Sequence, residues 1–369
     1  MHHSDAHVTR AFHIILVLGA LAPRVVSAQP EAPALVPQRL LQLAHTPEVQ
    51  AELGLSSDRL AAFEKMLAEV DAVWFPSRNQ PTDKARETLA GLEKQVWEWS
   101  FKNLSKEQTR RLLQIERQAQ GARMMLRDDL ATKLALTPEQ RKTFLDRARD
   151  TEAAREEYAA ASKQGKATEA QRDHATETAQ AEQQALAKAL TPKQHAALWK
   201  LLGKPFETAT LERIYPLAPE IVPVDTWINS EPLTLADLRG KVVVVHFYAF
   251  ECHNCHANFA IYRRWHDTLA KKGVVVLGIQ TPETPRERDP QRVRAAAAEN
   301  KLGFPILLDA DGKNWAAWGN TMWPSVYVVD KNGYLRAWWT GELQWQGAKG
   351  DLFIEKAINA ALAEAPPEE

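Results

Sequence analysis

Cysteine is scarce in this sequence, which has only Cys252 and Cys255 among its 369 residues. A second cysteine pair is absent. The Cys and His side chains of residues 252–256 are candidate ligands, but four side chains at the start of one short helix cannot all point at one metal ion. The sequence therefore predicts no zinc site and no other metal at these residues.

An excess of charge of either sign is also missing. Lysine and arginine total 46, aspartate and glutamate total 47, and the formal net charge is -1. The two signs are interleaved along the chain, which is typical of a solvated surface and not of a stripe that follows a phosphate backbone. We expect no nucleic acid among the partners.

Long apolar runs are absent beyond one near the N-terminus. Arg10 precedes the apolar residues 11–22, and Val26-Ser27-Ala28 offers small residues for cleavage. Residues 1–28 are predicted to be a secretory signal peptide, with an uncleaved anchor as the alternative. No other stretch approaches the ~20 apolar residues of a membrane-spanning helix. The mature protein is expected to be exported, periplasmic or otherwise extracytoplasmic, without a transmembrane domain.

Residues 29–204 are rich in Ala, Leu, Glu, Gln, Lys and Arg, with apolar residues at helical spacing. This composition predicts an all-α region. Four helix starts punctuate it, and in the last three Ser or Thr can cap the helix while Gln three positions later reaches back to the cap. The starts are Leu55-Ser56-Ser57-Asp58-Arg59, Leu104-Ser105-Lys106-Glu107-Gln108, Leu136-Thr137-Pro138-Glu139-Gln140 and Leu190-Thr191-Pro192-Lys193-Gln194.

The spacing of the four starts indicates an internal duplication. Leu55 and Leu136 are 81 residues apart, and Leu104 and Leu190 are 86 apart. Each copy is predicted to be a long helical hairpin. The starts resemble the Leu-Thr-x-x-Gln motif of small periplasmic helical proteins related to Spy and CpxP, which implies a surface for unfolded or thiol-bearing clients. Helix capping within a bundle is the alternative interpretation.

Four prolines mark the end of the helical pattern: Pro205, Pro216, Pro219 and Pro223. Residues 205–224 are predicted to be a linker. Residues 225–364 are then predicted to form a second, α/β domain, and residues 365–369 a disordered tail.

The second domain has short apolar runs separated by turns and helical segments. The runs at 241–249 and 273–280 are nearly continuously apolar, as parallel strands buried on both faces are. Asn332-Gly333 is a hairpin turn between the last two strands, so the sheet is predicted to be mixed. Further strands are predicted at 305–308, 325–330 and 334–340, and helices at 252–271, 290–301, 313–318 and 351–364.

Cys252 and Cys255 lie where the first of these strands meets a helix. A thiolate at a helix N-terminus faces unpaired backbone N–H groups and the positive end of the helix dipole, which lower its pKa. The second cysteine, one turn further on, can attack the mixed disulfide and release the partner. This arrangement predicts thioredoxin-like redox chemistry, and an oxidising compartment leaves the pair free to cycle as a disulfide.

Four further segments accompany the dithiol: residues 232–241 (PLTLADLRGK), 278–283 (GIQTPE), 318–320 (WGN) and 323–330 (WPSVYVVD). In combination they resemble the thioredoxin-like domains of the TlpA and DipZ type. The resemblance implies a three-layer sandwich in which Cys252 attacks, Cys255 resolves, and the loop of Trp323 and the cis-proline Pro324 binds the substrate backbone. It also implies protein disulfides or thiols as substrates, no cofactor, and a separate membrane or periplasmic redox partner.

Residues around the dithiol are expected to tune its pKa. A protonated His253 can stabilise the Cys252 thiolate, whereas the neighbouring carboxylate of Glu251 disfavours it. The balance between them sets the direction of electron flow, reductase or oxidase. His246 lies where thioredoxins carry a buried acid, and it is either the proton acceptor for the resolving cysteine or a core histidine. His256 is expected on the helix surface.

Other functions fit parts of the pattern. The residues Cys-His-Asn-Cys-His at 252–256 match the attachment motif of c-type haem, with Met322 as a distal ligand, but the preceding valine run predicts a strand where such a domain is helical. A thiol peroxidase is disfavoured, because Ala249 stands where such enzymes carry a threonine. A non-catalytic helical chaperone or scaffold with a thioredoxin-like binding module is the remaining alternative.

Overall fold

The computed structural model describes residues 35–208, 211 and 216–365. The predicted signal peptide, residues 366–369 of the predicted tail and part of the predicted linker lie outside these ranges. Within them, no helix combines the length and the apolar character that crossing a bilayer requires.

Helices and the turns between them make up residues 40–202, as predicted for the region 29–204. A 3-10 helix at Gly121–Leu126 separates the elements of the first half from those of the second. The α-helices of this region are α1 (Leu40–His45), α2 (Pro47–Glu52), α3 (Ser57–Ser77), α4 (Thr82–Asn103), α5 (Lys106–Gln120), α6 (Asp128–Lys133), α7 (Pro138–Lys163), α8 (Glu169–Ala189) and α9 (Pro192–Leu202).

The predicted capping boxes are confirmed at Ser105, Thr137 and Thr191. In each, the hydroxyl accepts the backbone N–H of the Gln three residues later, and the side-chain oxygen of that Gln accepts the backbone N–H of the cap. Ser56 accepts the backbone N–H of Arg59 at the start of α3. The reciprocal bond is not possible there, because a guanidinium has no acceptor.

Two apolar clusters divide the helical region. Side chains of α1 to α5 form the first, with Phe63, Val70 and Val96 fully buried in it. Side chains of the 3-10 helix and of α6 to α9 form the second, which contains Phe144 and Leu198. Within each half, one pair of long helices packs together, α3 with α4 and α7 with α8. The duplication of the sequence stays a prediction.

The second domain is built on a six-stranded mixed sheet with the strand order β1-β4-β3-β2-β5-β6. The two central strands are parallel because a helix crosses over between them, whereas β5 and β6 form the predicted antiparallel hairpin. The strands are β1 (Trp227–Ile228), β2 (Val242–Tyr248), β3 (Val274–Gln280), β4 (Ile306–Leu308), β5 (Ser325–Val329) and β6 (Leu335–Thr340).

Helices and ordered loops cover both faces of the sheet, giving the predicted three layers. Helices α10 (His253–Leu269), α11 (Pro290–Glu299) and α13 (Gly350–Ala363) pack on one face. The opposite face is covered by α12 (Lys313–Ala317), by Phe75 from the end of α3, and by the loop residues Ala218, Ile221, Leu235 and Leu238. The helical region therefore contributes directly to one layer of the α/β domain.

The structure differs from the sequence prediction at two places. Strand β1 was not predicted, since Trp227 and Ile228 are too few to show an alternating pattern; they pair with β4 at the sheet edge. Part of the predicted linker also packs into the α/β domain. Ala218 and Ile221 are buried in the core of the α/β domain, so the apolar residues between its prolines belong to that domain.

Candidate active site

The dithiol lies at the junction between β2 and α10. Cys252 is the N-cap residue of α10, with φ -73° and ψ 113°, and its backbone N–H donates to the carbonyl oxygen of Ala249 over 3.2 Å. Cys252 is partly exposed, whereas Cys255 is fully buried, and both are free thiols. The Cys252 sulfur is therefore accessible to a partner at the surface, whereas the Cys255 sulfur is not.

The surroundings of the two thiols separate their pKa values. A hydrogen bond from the Cys255 thiol, together with the backbone N–H groups of Cys255 and Asn254, lowers the pKa of Cys252 against the opposing effect of partial burial. Burial raises the pKa of Cys255 far above that of an ordinary thiol, and its contact with Cys252 adds to the increase. Cys252 is thus the better nucleophile at neutral pH.

Glu283 is a site residue that the sequence analysis missed in this role. Its carboxylate raises the pKa of both Cys252 and Cys255 by charge repulsion. It follows β3 in the chain, and the parallel pairing of β2 with β3 brings the ends of both strands to the same edge of the sheet. The motif 278–283 marked this segment, but only the fold places its last residue beside the dithiol.

Glu251 and His253 flank Cys252 on the exposed side. One carboxylate oxygen of Glu251 accepts the Thr284 hydroxyl over 2.8 Å, and the other lies 3.4 Å from the guanidinium Nε of Arg286. His253 is exposed at the first turn of α10. The structure thus engages the Glu251 side chain with the loop after β3, while the His253 ring faces solvent.

Glu287 fixes the loop beside the dithiol and was also missed. Its carboxylate is fully buried and accepts three backbone N–H groups, those of Glu251, Glu283 and Thr284, over 2.7 to 2.8 Å. The segment before Cys252 and the loop after β3 are thereby held by one side chain. A buried carboxylate of this kind gave no signal in the sequence, because the loop contains other acidic residues.

His246 lies in β2 on the face that packs against α10, the same side as Cys255. Its ring stacks on Tyr262, with ring centroids 4.1 Å apart, and contacts Phe304 edge to face. Neither ring nitrogen has a hydrogen-bond partner among the described residues. Burial lowers the pKa of His246 to about 3, so the imidazole is neutral near pH 7.

Gln280 is a second buried polar side chain in this layer. It pairs with Tyr248 across the parallel strands β3 and β2 and is fully buried. Neither its amide oxygen nor its amide nitrogen has a hydrogen-bond partner within the described ranges. With His246 it places polar atoms on the face of the sheet that also packs against Cys255.

The Trp323–Pro324 peptide bond is cis, as the resemblance implied. The Trp323 indole stacks on Trp315 with a centroid distance of 4.0 Å and donates its N–H to the Thr281 carbonyl oxygen over 3.1 Å. The Pro324 carbonyl oxygen accepts the backbone N–H of Gly341 over 2.7 Å. The cis-proline loop is thus held from the β3 side and from the end of β6.

Asn258 connects α10 to the segment after β6, which also holds the cis-proline loop. This buried side chain donates to the Gly341 carbonyl oxygen over 3.2 Å and accepts the backbone N–H of Leu343 over 2.9 Å. Because Gly341 also bonds Pro324, the helix that begins at the dithiol and the cis-proline loop share one anchor. Asn258 was not identified from the sequence.

His256 lies on the exposed surface of α10, as predicted. Its Nε2 is 2.7 Å from the Phe250 carbonyl oxygen and its ring packs against Phe259. The strand before the motif, β2, is also confirmed, so residues 252–256 occupy a strand-to-helix junction of an α/β domain. Among the described residues, no group of three or more His, Cys, Asp or Glu side chains converges as metal ligands.

The α/β domain is similar to parts of known proteins. A profile of the AhpC/TSA family matches residues 218–338. DipZ of Mycobacterium bovis is 34% identical over 154 residues, which are 41% of this chain but only 21% of DipZ. The thiol-disulfide oxidoreductase YkuV of Bacillus subtilis is 30% identical over 147 residues, covering 40% of this chain and 94% of YkuV. Among solved structures, the thioredoxin-like superfamily protein SPOA0173 is 31% identical with a TM-score of 0.37, covering 41% of this chain and 99% of its own.

Proposed function

The chain belongs, through its α/β domain, to the AhpC/TSA family, and we propose that it is an exported thiol-disulfide oxidoreductase acting on proteins through Cys252 and Cys255. The observation that carries this proposal is the unequal environment of the two thiols. Cys252 is accessible with a lowered pKa, whereas Cys255 is buried with a raised one. That difference is what an attacking and a resolving cysteine require.

In the reducing direction, the Cys252 thiolate attacks one sulfur of a substrate disulfide. The substrate S–S bond breaks, the other substrate sulfur leaves as a thiolate and takes up a proton, and a mixed disulfide joins Cys252 to the substrate. Cys255 then loses its proton and attacks the Cys252 sulfur, which releases the second substrate thiol. The two electrons come from the dithiol, which ends as a Cys252–Cys255 disulfide, and a separate dithiol partner must reduce it again.

The side chains near the dithiol are proposed to set its potential. His253 favours the Cys252 thiolate when protonated, while Glu251 opposes it, and Glu283 opposes it by the charge effect described above. Of the two roles open to His246, we propose that of a core histidine. Its lowered pKa and the lack of a hydrogen-bond partner among the described residues make it a poor acceptor for the Cys255 proton.

Trp323 and Pro324 are proposed to bind the substrate. Their loop carries backbone groups toward the dithiol side of the sheet, and an extended peptide segment can pair with such groups as an added strand. The substrates are therefore proposed to be protein disulfides or thiols in extended segments.

The helical region is proposed to recruit clients. Phe101 is 67% exposed and stacks on Trp97 with a centroid distance of 5.5 Å, so the pair offers an apolar surface on α4. Phe101→Ala should slow turnover of an unfolded disulfide-bonded protein and leave a small disulfide unaffected. Trp199→Ala, at another exposed aromatic residue, is the matched control. Equal rates for both variants would contradict recruitment by this surface.

The enzymatic proposal is tested with insulin reduction. Cys252→Ser should abolish turnover, and Cys255→Ser should accumulate a mixed disulfide with the substrate that mass spectrometry detects. If Cys252→Ser kept full activity, the non-catalytic scaffold would be the better explanation.

A further inference from the structure

The end of α3 reaches from the helical region onto the sheet of the redox domain. Phe75 is buried against that sheet and meets the rings of Tyr327 and Trp338 edge to face, at centroid distances of 5.9 and 5.6 Å. Tyr327 lies in β5, directly after the cis-proline loop. This docking therefore places the end of α3 against the strand that follows the cis-proline loop.

Arg78 follows Phe75 and bonds across the boundary between the two regions. Its guanidinium lies 3.6 Å from the centroid of the Phe75 ring, and its Nη1 donates to the Phe75 carbonyl oxygen over 2.9 Å. Its Nη2 donates to the Tyr327 hydroxyl over 2.9 Å. The side chain is partly shielded from water, which strengthens such charge-assisted bonds.

The bond from Arg78 continues into the segment that leads to the cis-proline. The Tyr327 hydroxyl donates in turn to Asn320 Oδ1 over 2.6 Å. Asn320 precedes Trp323 by three residues, and its side chain is buried. The guanidinium, the phenol and the amide thus form one chain of hydrogen bonds that ends in the segment before the loop.

A second contact from the helical region holds the same segment. Asn79 Nδ2 donates to the Gly319 carbonyl oxygen over 2.5 Å. Gly319 has φ +59°, and a Cβ there would lie 2.7 Å from the Cα of Pro76. The two backbones therefore touch, and residues 319–320 have little room to move away from the end of α3.

We propose that Arg78 is a positioning residue for the loop of Trp323 and Pro324, so that the helical region sets the geometry of substrate binding in the redox domain. This inference rests on the proposed oxidoreductase function. An extended polypeptide must pair with the loop while its disulfide meets Cys252, and a small displacement of the loop misaligns the two. A small aromatic disulfide needs only access to the Cys252 sulfur.

The test compares two substrates in the full chain: insulin, and the small disulfide 5,5′-dithiobis(2-nitrobenzoate). Arg78→Leu and Tyr327→Phe should each raise KM for insulin about tenfold, because both remove the charge-assisted hydrogen bond between the guanidinium and the phenol. Both should react with the small disulfide at the wild-type rate. Arg78→Lys, which keeps a donor, should recover most of the insulin affinity, and Arg110→Leu, at an exposed arginine of α5, should match the wild type.

Hydrogen exchange provides a readout that does not depend on turnover. Amides of residues 318–326 should exchange faster in Arg78→Leu and Tyr327→Phe than in the wild type, while those of α10 should not change. If both variants kept the wild-type KM for insulin and the wild-type exchange rates, the inference would be wrong and the proposed function would stand. The same conclusion would follow if both variants lost activity equally toward the two substrates. A wild-type chain inert toward both disulfides would overturn the proposed function and the inference with it.

Discussion

The His246 imidazole lies nearly parallel to the Tyr262 ring, with centroids 4.1 Å apart and an interplanar angle of 22°. The pair joins β2 to α10 in the layer that also contains Cys255. Because the imidazole is buried without a hydrogen-bond partner among the described residues, its protonated form is strongly disfavoured. Burial of this imidazole therefore makes the stability of the domain depend on pH.

His246 should make the protein less stable in mild acid. Its pKa is about 3 in the folded chain against 6.5 for the exposed group, so between these values the unfolded chain binds more protons. Stability is therefore lost as pH falls below 6.5, by about 2 kcal/mol between pH 7 and pH 5. Denaturant unfolding at both pH values measures the loss.

His246→Phe is the variant that isolates this effect. It keeps a ring against Tyr262 and removes the titrating group, so the difference in unfolding free energy between pH 7 and pH 5 should shrink by about 2 kcal/mol. The buried His45, whose pKa is raised by its bond to Asp71 despite desolvation, acts in the opposite direction but is common to both proteins. An unchanged pH dependence in His246→Phe would show that the imidazole is not neutral in the folded state.

The thiol of Cys255 should be the main reason for the reactivity of Cys252. Its hydrogen bond is the largest influence lowering the pKa of Cys252. In Cys255→Ala the alkylation of Cys252 by iodoacetamide should therefore shift to higher pH. Cys255→Ser keeps a hydroxyl donor and should stay closer to the wild type. Identical alkylation profiles for the alanine and serine variants would contradict this account.

Glu283→Gln should make the Cys252–Cys255 disulfide a stronger oxidant. The change removes a charge that raises the pKa of both thiols, so the thiolate of the reduced form is stabilised and the reduction potential rises. Equilibration with glutathione buffers measures the potential. Glu299→Gln, at an exposed carboxylate near the end of α11, is the control and should leave the potential unchanged. If the reduction potential fell in Glu283→Gln, the Glu283 carboxylate could not be a group that disfavours the Cys252 thiolate.

Some residues of the candidate site were identified from the sequence and others were not. A strand-to-helix junction and short local motifs were enough to identify Cys252, Cys255 and Pro324. Glu283 and Asn258 act through contacts between elements distant in the chain, which depend on the strand order and on the path of the last loop.

Periodicity predicted the principal strands and helices because their apolar faces repeat within each segment. It could not predict that Phe75, an ordinary apolar position near the end of a long helix, would be buried against a sheet some 250 residues later in the chain. Docking between two regions depends on the shape of both surfaces. The local pattern of either one does not contain that information.

Glu287→Gln should destabilise the loop beside the dithiol. The Glu287 carboxylate accepts the N–H of Glu251 with one oxygen and those of Glu283 and Thr284 with the other. A glutamine has only one acceptor oxygen, so its NH₂ group must face at least one buried N–H donor. We expect a loss of roughly 2 kcal/mol in the free energy of unfolding, measured by denaturant titration.

Glu251→Gln is the matched control for Glu287→Gln. The Glu251 side chain is more exposed and is held by Thr284 and Arg286 at the surface, where such contacts contribute little. It should therefore change stability by less than about 1 kcal/mol. If Glu287→Gln were no more destabilising than Glu251→Gln, the buried carboxylate could not be the group that holds the segment before Cys252 against the loop after β3.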